Sequence, residues 1–552
     1  MPDDPQAPSA YAGRWVARIR GRIVAQGGTP EQALHAAQQS RHKEKPEILY
    51  MPIPVPLPPL LNEIRDLLPQ TDIHLVGGAV RDMLLNRLSR DLDFVLPSKA
   101  IASARKVANA LQADFLILDK ERDTARVIFT DADGTRIFLD FASWRGNSLE
   151  EDLRKRDFTL NAIAFDLQAQ ALHDPLNGAS DLRAKLLRAC SPTSLADDPV
   201  RILRAVRLAA EFDFKIEPAA RKAMKGAAPL LPNVSPERKR DELFKILEGP
   251  KPDAALRALE ILGVFPHLLP ELSALKGVTQ SDPHIYDVWE HTLSALKHLE
   301  AILTALRVGY SAEETNDLFT GLLTLRLGRF RERFAAHFAH FLNADRSVRA
   351  ALFFAALYHD VEKPATRSVD EAGRVRFYDH DTRGAASASR RAREFNLSND
   401  EIERIEIIVR HHMRFHSFAS RLENDGQAPS RKAIYRFFRD SGEAGVDLVL
   451  FGLADLRGAR GPTLTQETWT AALDIARLLL ENYWEKPQET VAPPRLLDGN
   501  DLMKELNLTP GRKIGQLLEA IREAQATGKI AAREEAISFA RQWLEEQENH
   551  EK

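Results

Sequence analysis

A single cysteine, Cys190, stands in 552 residues. That excludes a disulfide framework and any zinc site built on cysteines, and it fits a reducing compartment. Long apolar runs are missing too. The most apolar short run, Ala350 to Tyr358, lies between Arg349 and His359. It falls far short of the ~20 residues that span a bilayer and reads as a buried helix, so no membrane partner is expected. The first residues carry no continuous apolar stretch, which argues against a secretory signal and for a cytoplasmic protein. Charge of one sign is lacking as well: 76 Lys and Arg face 79 Asp and Glu, a net of −3. A wholly basic nucleic-acid coat is thereby excluded, and any nucleic-acid contact must use a local basic face. No long repeat and no low-complexity tract appears.

What is present is enough for several domains, with 44% apolar residues to build their cores. Residues 1–60 read as a polar, helix-compatible extension with Arg14, Arg18, Arg20, Arg22, Arg41, Lys43 and Lys45. It runs into a proline ladder, Pro52, Pro54, Pro56, Pro58 and Pro59, that favours an extended spacer. The extension is either a solvated helix or a basic arm for RNA. Residues 61–190 mix strand-length apolar runs (Ile73–Val76, Leu92–Leu96, Phe115–Leu118, Ala125–Phe129, Arg136–Phe141, Ala162–Leu167) with helical segments, an α/β pattern. Residues 191–265 and 266–485 are helical nearly throughout. A second proline-bearing linker, Pro487 to Pro494, leads residues 486–552 into a short helical tail.

Two stretches of the α/β segment carry chemistry. His74-Leu-Val-Gly77-Gly78-Ala-Val-Arg81 is a strand, a double glycine and a helix start. Glycines there let a ligand approach the backbone and leave amides free for phosphate, and Arg81 adds a charge. Asp91-Leu-Asp93-Phe is a strand with two carboxylates on one face, a costly pair unless a cation sits between them. Oxygen ligands suit Mg²⁺. Asp140 ends another apolar run and supplies a third carboxylate. Three such groups could hold two metals, one activating a 3′-hydroxyl and one stabilising pyrophosphate.

Gly77-Gly78-x-x-Arg81-Asp82 followed by Asp91-x-Asp93 resembles the signature of the DNA polymerase β nucleotidyltransferase superfamily. Within it, the segment is similar to class II tRNA nucleotidyltransferases (CCA-adding enzymes) and the related bacterial poly(A) polymerases. Further motifs agree: Arg156-Asp157-Phe-Thr-Leu-Asn161-Ala, Asp174 to Leu182, Asp197-Asp198-Pro-Val-Arg201-Ile-Leu-Arg204, and Ser235 to Lys245. One departure is Asp197, where the family has Glu. The resemblance implies that Gly77, Gly78, Arg81, Arg156, Asp157, Asn161 and Arg204 contact the incoming nucleotide, with Asp91, Asp93 and Asp140 catalytic.

Asp198 and Arg201, read as one helix face, suit base selection. Cytosine and adenine each offer an amino donor beside a ring-nitrogen acceptor; uracil and guanine offer the reverse. A carboxylate only accepts and a guanidinium only donates, so the pair fits C and A. The resemblance carries the same role onto these two residues.

Ten of the 16 histidines fall between His284 and His416. The order His291, His359-Asp360, His380, His411 or His412, and Asp455 resembles the ligand series of HD-superfamily phosphohydrolases. Imidazole and carboxylate favour a divalent transition metal, whose chemistry would be attack of activated water on a phosphoester. In the tail, Gly511, Arg512 and Lys513 suit a phosphate or a tight turn.

The expected fold is thus α+β multidomain: a polymerase-β-like α/β head (61–190), an all-helical neck (191–265), an HD domain (266–485) and a helical tail (486–552). The expected activity is template-independent addition or repair of the tRNA 3′-CCA from CTP and ATP. Poly(A) polymerase and CC-only or A-only addition are the near alternatives. An RNA-binding or signalling protein acting through the HD domain is the distant one.

Overall fold

A computed structural model describes residues 14–20, 22–27, 30–39, 44–51, 59–131, 133–311, 317–343 and 346–550. The chain forms two compact units, Met1–Leu231 and Pro232–Lys552, described here in turn.

The first unit begins with a departure from the expected helical extension. β1 (Arg14–Ile19), β2 (Arg22–Gly27), α1 (Pro30–Gln39) and β3 (Glu47–Met51) form a three-stranded antiparallel sheet, ordered β2-β1-β3, with one helix. Val16, Ile19, Ile23 and Val24 are β-branched and favour strands, and that preference outweighs the arginines between them. Trp15 and Val16 are buried, and the Arg183 guanidinium lies 5.8 Å from the Trp15 ring. Arg18 pairs with Glu47, so this arm is not a bare basic surface. The proline ladder at 52–58, Arg41 and Lys43 lie outside the described residues.

The head proper is a seven-stranded mixed sheet. Its strands are β4 (His74–Val76), β5 (Asp91–Leu96), β6 (Asp114–Asp119), β7 (Thr124–Thr130), β8 (Arg136–Ser143), β9 (Ala164–Asp166) and β10 (Ala171–His173). Their order is β10-β9-β4-β5-β8-β7-β6, with β5 and β8 parallel. Alternation along β5 sends Leu92, Phe94 and Leu96 to one face. There they join Leu61 and Ile64 of α2 (Pro59–Leu67) and Ala104 and Val107 of α4 (Ala100–Leu111), once α3 (Gly78–Leu84) has followed β4. The opposite face carries Asp91, Asp93 and Val95. Here Val76, Val95 and Ala164 form a smaller core with Leu153 of α5 (Leu149–Arg154). Beyond it come α6 (Gly178–Arg183), β11 (Leu186–Leu187), α7 (Ser194–Asp197), α8 (Arg201–Phe212) and β12 (Lys215–Ile216). The β11–β12 pair places a small parallel bridge where helix alone was expected.

Among its described residues the second unit is helical apart from one hairpin, Arg367–Val369 with Val375–Phe377. Helix Val348–Tyr358 is buried on every side, as its unbroken apolar run predicts. Helices Val288–Ala305 and Ala444–Arg460 pack so closely that a Cβ at Gly458 would stand 2.9 Å from the Ala295 amide nitrogen. Glycine permits that approach and thereby brings the 455 position to the 291 position. The second proline-bearing segment is a packed turn, Pro487–Val491, with Thr490 buried. Leu497, Leu502, Leu517, Ile521 and Ala540 give the tail its own small core. Among the described residues no helix is long and apolar enough to cross a membrane.

Candidate active sites

The first site lies on the acidic face of the head sheet. Register pairs Asp93 directly with Asp140 across β5 and β8, with Asp91 two positions before. Burial pushes the Asp93 carboxyl above its ordinary pKa; Arg156 pulls it down, and Asp140 pushes it up again. Asp140 is not freely presented: Arg126 holds both of its oxygens, at 2.7 and 2.8 Å. Arg126 sits opposite Asp140 on β7 and was not singled out from sequence. Gly77 crosses above with φ +72°, and a Cβ there would stand 2.8 Å from Asp93 Oδ2. Glycine is therefore required at 77 twice over, for its backbone and for room over the carboxylate. The donor set is all oxygen and includes a part-buried carboxylate beside a second one, which fits Mg²⁺.

The remaining expected nucleotide contacts form one chain of polar groups. Arg81 donates to Asn161 Oδ1 at 3.0 Å, Asn161 donates to Asp157 Oδ1 at 3.1 Å, and Asp157 Oδ2 lies 2.8 Å from Arg204 Nε. Burial alone would raise Asp157, yet Arg204, Asn161 and the Phe158 amide outweigh it and hold the carboxyl below its usual range. Arg81 also pairs with Asp82 and lies 4.5 Å over the Phe212 ring, so it braces the helix start instead of standing out toward solvent. Gly78 opens α3, where a Cβ would meet only the Arg81 guanidinium, at 3.4 Å. Arg156 donates through Nε and Nη2 to Asp152, at 3.1 and 3.0 Å. Asp152 is fully buried and also accepts from the Arg145 amide; its place before the Arg-Asp-Phe-Thr run gave no sign of that role.

The reading of Asp198 and Arg201 as one helical face needs correction. Pro199 interrupts the segment, so Asp198 is extended (φ −146°) between α7 and α8, and Arg201 is the first residue of α8. The two side chains still approach, with Arg201 Nε 3.7 Å from Asp198 Oδ2. Arg201 is otherwise spent on architecture. It donates to the carbonyls of Lys155, Arg156 and Ser194 and to Ser194 Oγ, at 2.7 to 3.1 Å.

The second site gathers His291, His359, Asp360, His380, His412 and Asp455 from five segments into the buried centre of the helical unit. They fall into two groups whose ligand atoms lie within 4.8 Å of one another: His291, His359 and Asp455; and Asp360, His380 and His412. His359, His380 and His412 each direct Nδ1 at a backbone carbonyl (Ala356, Phe377 and Val409; 2.7–2.9 Å), which turns Nε2 inward. Burial opposes charge on His359, but Asp360 and Asp455 override it and raise it to about 10, while burial drives His412 and neighbouring His284 down to about 3. Both Asp360 oxygens and Asp455 Oδ1 are buried without a well-formed hydrogen bond. Imidazoles gathered with buried carboxylate oxygens suit a divalent transition metal.

Of the two adjacent histidines, His412 enters the cluster and His411 does not. The helix Asn399–His411 ends there, and consecutive positions turn about 100° apart. Two members were not foreseen. His416 Nε2 lies 2.7 Å from Asp455 Oδ2, and Lys363 Nζ lies 2.6 Å from Asp360 Oδ2. Their spacing, four after His412 and three after Asp360, was the available signal. A cavity of about 900 Å³ opens over the cluster, lined by Lys363, Arg374, Arg376, His416 and Arg460. In the tail, Gly511 precedes helix Arg512–Ala526 with extended backbone, beside an open recess.

Four family models match successive stretches of the chain. A poly A polymerase head domain model matches residues 73–188, and one for the RNA and SrmB-binding site of polymerase A matches 213–276. An HD domain model matches 288–438, and a tRNA nucleotidyltransferase domain 2 model matches 494–540. The A-adding tRNA nucleotidyltransferase of Deinococcus radiodurans is 34% identical over 478 residues, 86% of this chain and 95% of that protein. The CC-adding tRNA nucleotidyltransferase of Thermus thermophilus is 33% identical over 480 residues, 86% of this chain and 94% of that protein. Among solved structures, a CCA-adding enzyme with CTP has a TM-score of 0.56 at 21% identity, covering 88% of this chain and 96% of its own. The Thermotoga maritima CCA-adding enzyme complexed with tRNA gives 0.53 at 22%, covering 89% and 97%. These two likenesses show the fold.

Proposed function

The chain belongs to the tRNA nucleotidyltransferase family, and from that membership we propose that it adds or repairs the 3′-CCA of tRNA using CTP and ATP, without a template. The observation that carries the proposal is the in-register Asp93–Asp140 pair beneath Gly77, with the Arg81–Asn161–Asp157–Arg204 chain beside it. Asp91, Asp93 and Asp140 would hold Mg²⁺, which supplies charge neutralisation at the reacting phosphate and the 3′-hydroxyl. The residues of the chain do the positioning. Gly77 leaves room for the triphosphate over Asp93. Arg156 and Arg204, each fixed by a carboxylate, present charge to it. Asp198 offers acceptors to the amino group of C or A, and Arg201 offers the Nε edge that its backbone contacts leave over. Arg126, bonded to both of its oxygens, keeps Asp140 oriented.

Relatives matched over nearly their full length include an A-adding and a CC-adding enzyme, which makes partial addition the second reading. One assay decides. Purified protein is given a tRNA ending before CCA, with CTP and ATP singly and together, and the products are sequenced. C-C-A supports the first reading. C-C or A alone supports the second, and no extension overturns both.

For the helical unit we propose metal-dependent hydrolysis of a phosphoester, in the cytoplasm where the tRNA is processed. The support is the pair of three-ligand groups under a cavity with four cationic side chains. A 2′,3′-cyclic phosphate with Ni²⁺, Co²⁺ or Mn²⁺ tests it; no turnover with any of the three sinks this activity and leaves nucleotide transfer untouched.

A further inference from the structure

A third cluster lies in the head, away from the acidic trio. His74 stands directly opposite Asp166 in the β4–β9 register. His173 on β10 pairs with Ala164, which is two residues from Asp166 on β9. Pleating therefore sends all three side chains to one face. It is the face that carries Asp93, but the small apolar core of Val76, Val95 and Ala164 separates the two places. One ligand atom from each of His74, Asp166 and His173 lies within 4.8 Å of the others.

Two details go beyond proximity. His74 is 3% exposed, and its Nδ1 is buried without a hydrogen-bond partner, although Asp72 Oδ1 stands 3.5 Å away. With Nδ1 on the Asp72 side, Nε2 is the nitrogen turned toward Asp166. Asp166 divides its oxygens: Oδ1 accepts the amides of Gln168 and Ala169 and closes the β9–β10 turn, while Oδ2 faces His74 Nε2 at 3.9 Å. The turn thus fixes the carboxylate in the direction of the imidazoles, as an outer-shell contact does for a ligand. A cavity of about 570 Å³ adjoins the cluster, bordered by Ser148, Leu149 and Leu153 at the start of α5.

We propose that His74, Asp166 and His173 form a binding site for a divalent transition-metal ion, Zn²⁺ by donor type, that fastens the edge strand β10 and the β9–β10 turn to β4. Two imidazoles and one carboxylate are a zinc-type donor set, with the fourth position open to water from the cavity. Ligand atoms on a tetrahedral ion with bonds of ~2.0–2.1 Å stand about 3.4 Å apart, so His74 and Asp166 need close by only about 0.5 Å. His173 is exposed, and its ring already stands edge-on to that of His74, with centroids 5.4 Å apart. The site does not depend on either proposed activity.

Full-length protein is stripped with chelator, loaded with Zn²⁺, freed of excess and assayed for metal per chain by atomic emission. The wild type is compared with His173→Ala and His74→Gln. His173 is exposed on a short edge strand, so its replacement leaves the fold intact and decides the matter even if His74→Gln does not fold. About one equivalent of Zn²⁺ should be lost in His173→Ala, with the metal of the helical unit retained. Cobalt gives a second readout: the intense visible absorption of tetrahedral Co²⁺ should weaken in the same variant. Unchanged zinc content together with an unchanged cobalt spectrum in His173→Ala overturns the proposal.

Discussion

Arg201→Lys tests whether this arginine acts as architecture as well as a reader of bases. The guanidinium spans four acceptors, the carbonyls of Lys155, Arg156 and Ser194 and the Ser194 hydroxyl. Lysine keeps the charge but presents its donors from one point and reaches one or two of the four. Hydrogen bonds to a charged group contribute ~1.5–3 kcal/mol each. Arg201 is 14% exposed, so water offsets only part of the loss. The expected cost is about 3 kcal/mol, on the order of 150-fold if all of it appears in kcat/KM. Two measurements are needed: denaturant unfolding, and single-nucleotide addition with CTP, ATP, UTP and GTP. An architectural role predicts lower stability and a common loss for CTP and ATP. A base-reading role adds a relative gain for UTP and GTP. Wild-type stability with wild-type transfer would refute the reasoning, since four short contacts would then contribute nothing.

Gly77→Ala places a Cβ 2.8 Å from Asp93 Oδ2 at φ +72°, so nucleotide transfer should fall by more than tenfold, at a folding cost of ~1–2 kcal/mol; parallel rate and stability measurements check both. Asp360→Asn should lower the metal content of the helical unit and remove its phosphoesterase activity while leaving transfer on tRNA unchanged, as metal analysis and paired assays will show. Glu401→Gln tests pH linkage. Burial raises this carboxyl, but Arg346 and Ser398 more than reverse that and hold it below its ordinary 4.5. A depressed carboxylate stabilises above its unfolded pKa, and that stability is lost as pH falls through the folded value. Thermal unfolding below pH 4.5 should therefore fall less steeply in Glu401→Gln than in wild type.

The head was legible because its chemistry and its pleat coincide. Strands were expected around 73–76, 92–96, 115–118, 125–129 and 136–141, and the sheet has strands there, with Asp91 and Asp93 on the face that alternation assigns. The arm at 14–51 was misread because its arginines were weighed above Val16, Ile19, Ile23 and Val24. A short sheet against a larger domain needs only a few buried residues, here Trp15 and Val16 among them. Asp198 was misplaced because three-residue spacing implies a shared face only within an unbroken helix, and Pro199 breaks it. Asp152 and Arg126 were invisible for another reason. Their partners, Arg156 and Asp140, were read from sequence, but nothing in a sequence says which ion holds which. The split between His411 and His412 depends on where one helix ends, the least readable feature of any helix.

The buried histidine–aspartate cluster also has an order in time. About 160 residues separate its first ligand, His291, from its last, Asp455, and at ~5–20 residues per second a ribosome takes roughly 8–30 s to deliver the second after the first. During that interval the group of His291, His359 and Asp455 cannot close, whereas Asp360, His380 and His412 are all present before Asp455 is made. Loading of that first group would follow completion of the helical unit. An ion held there would be set by what is available after folding, so changing the metal supply after synthesis should change the bound ion but not the fold.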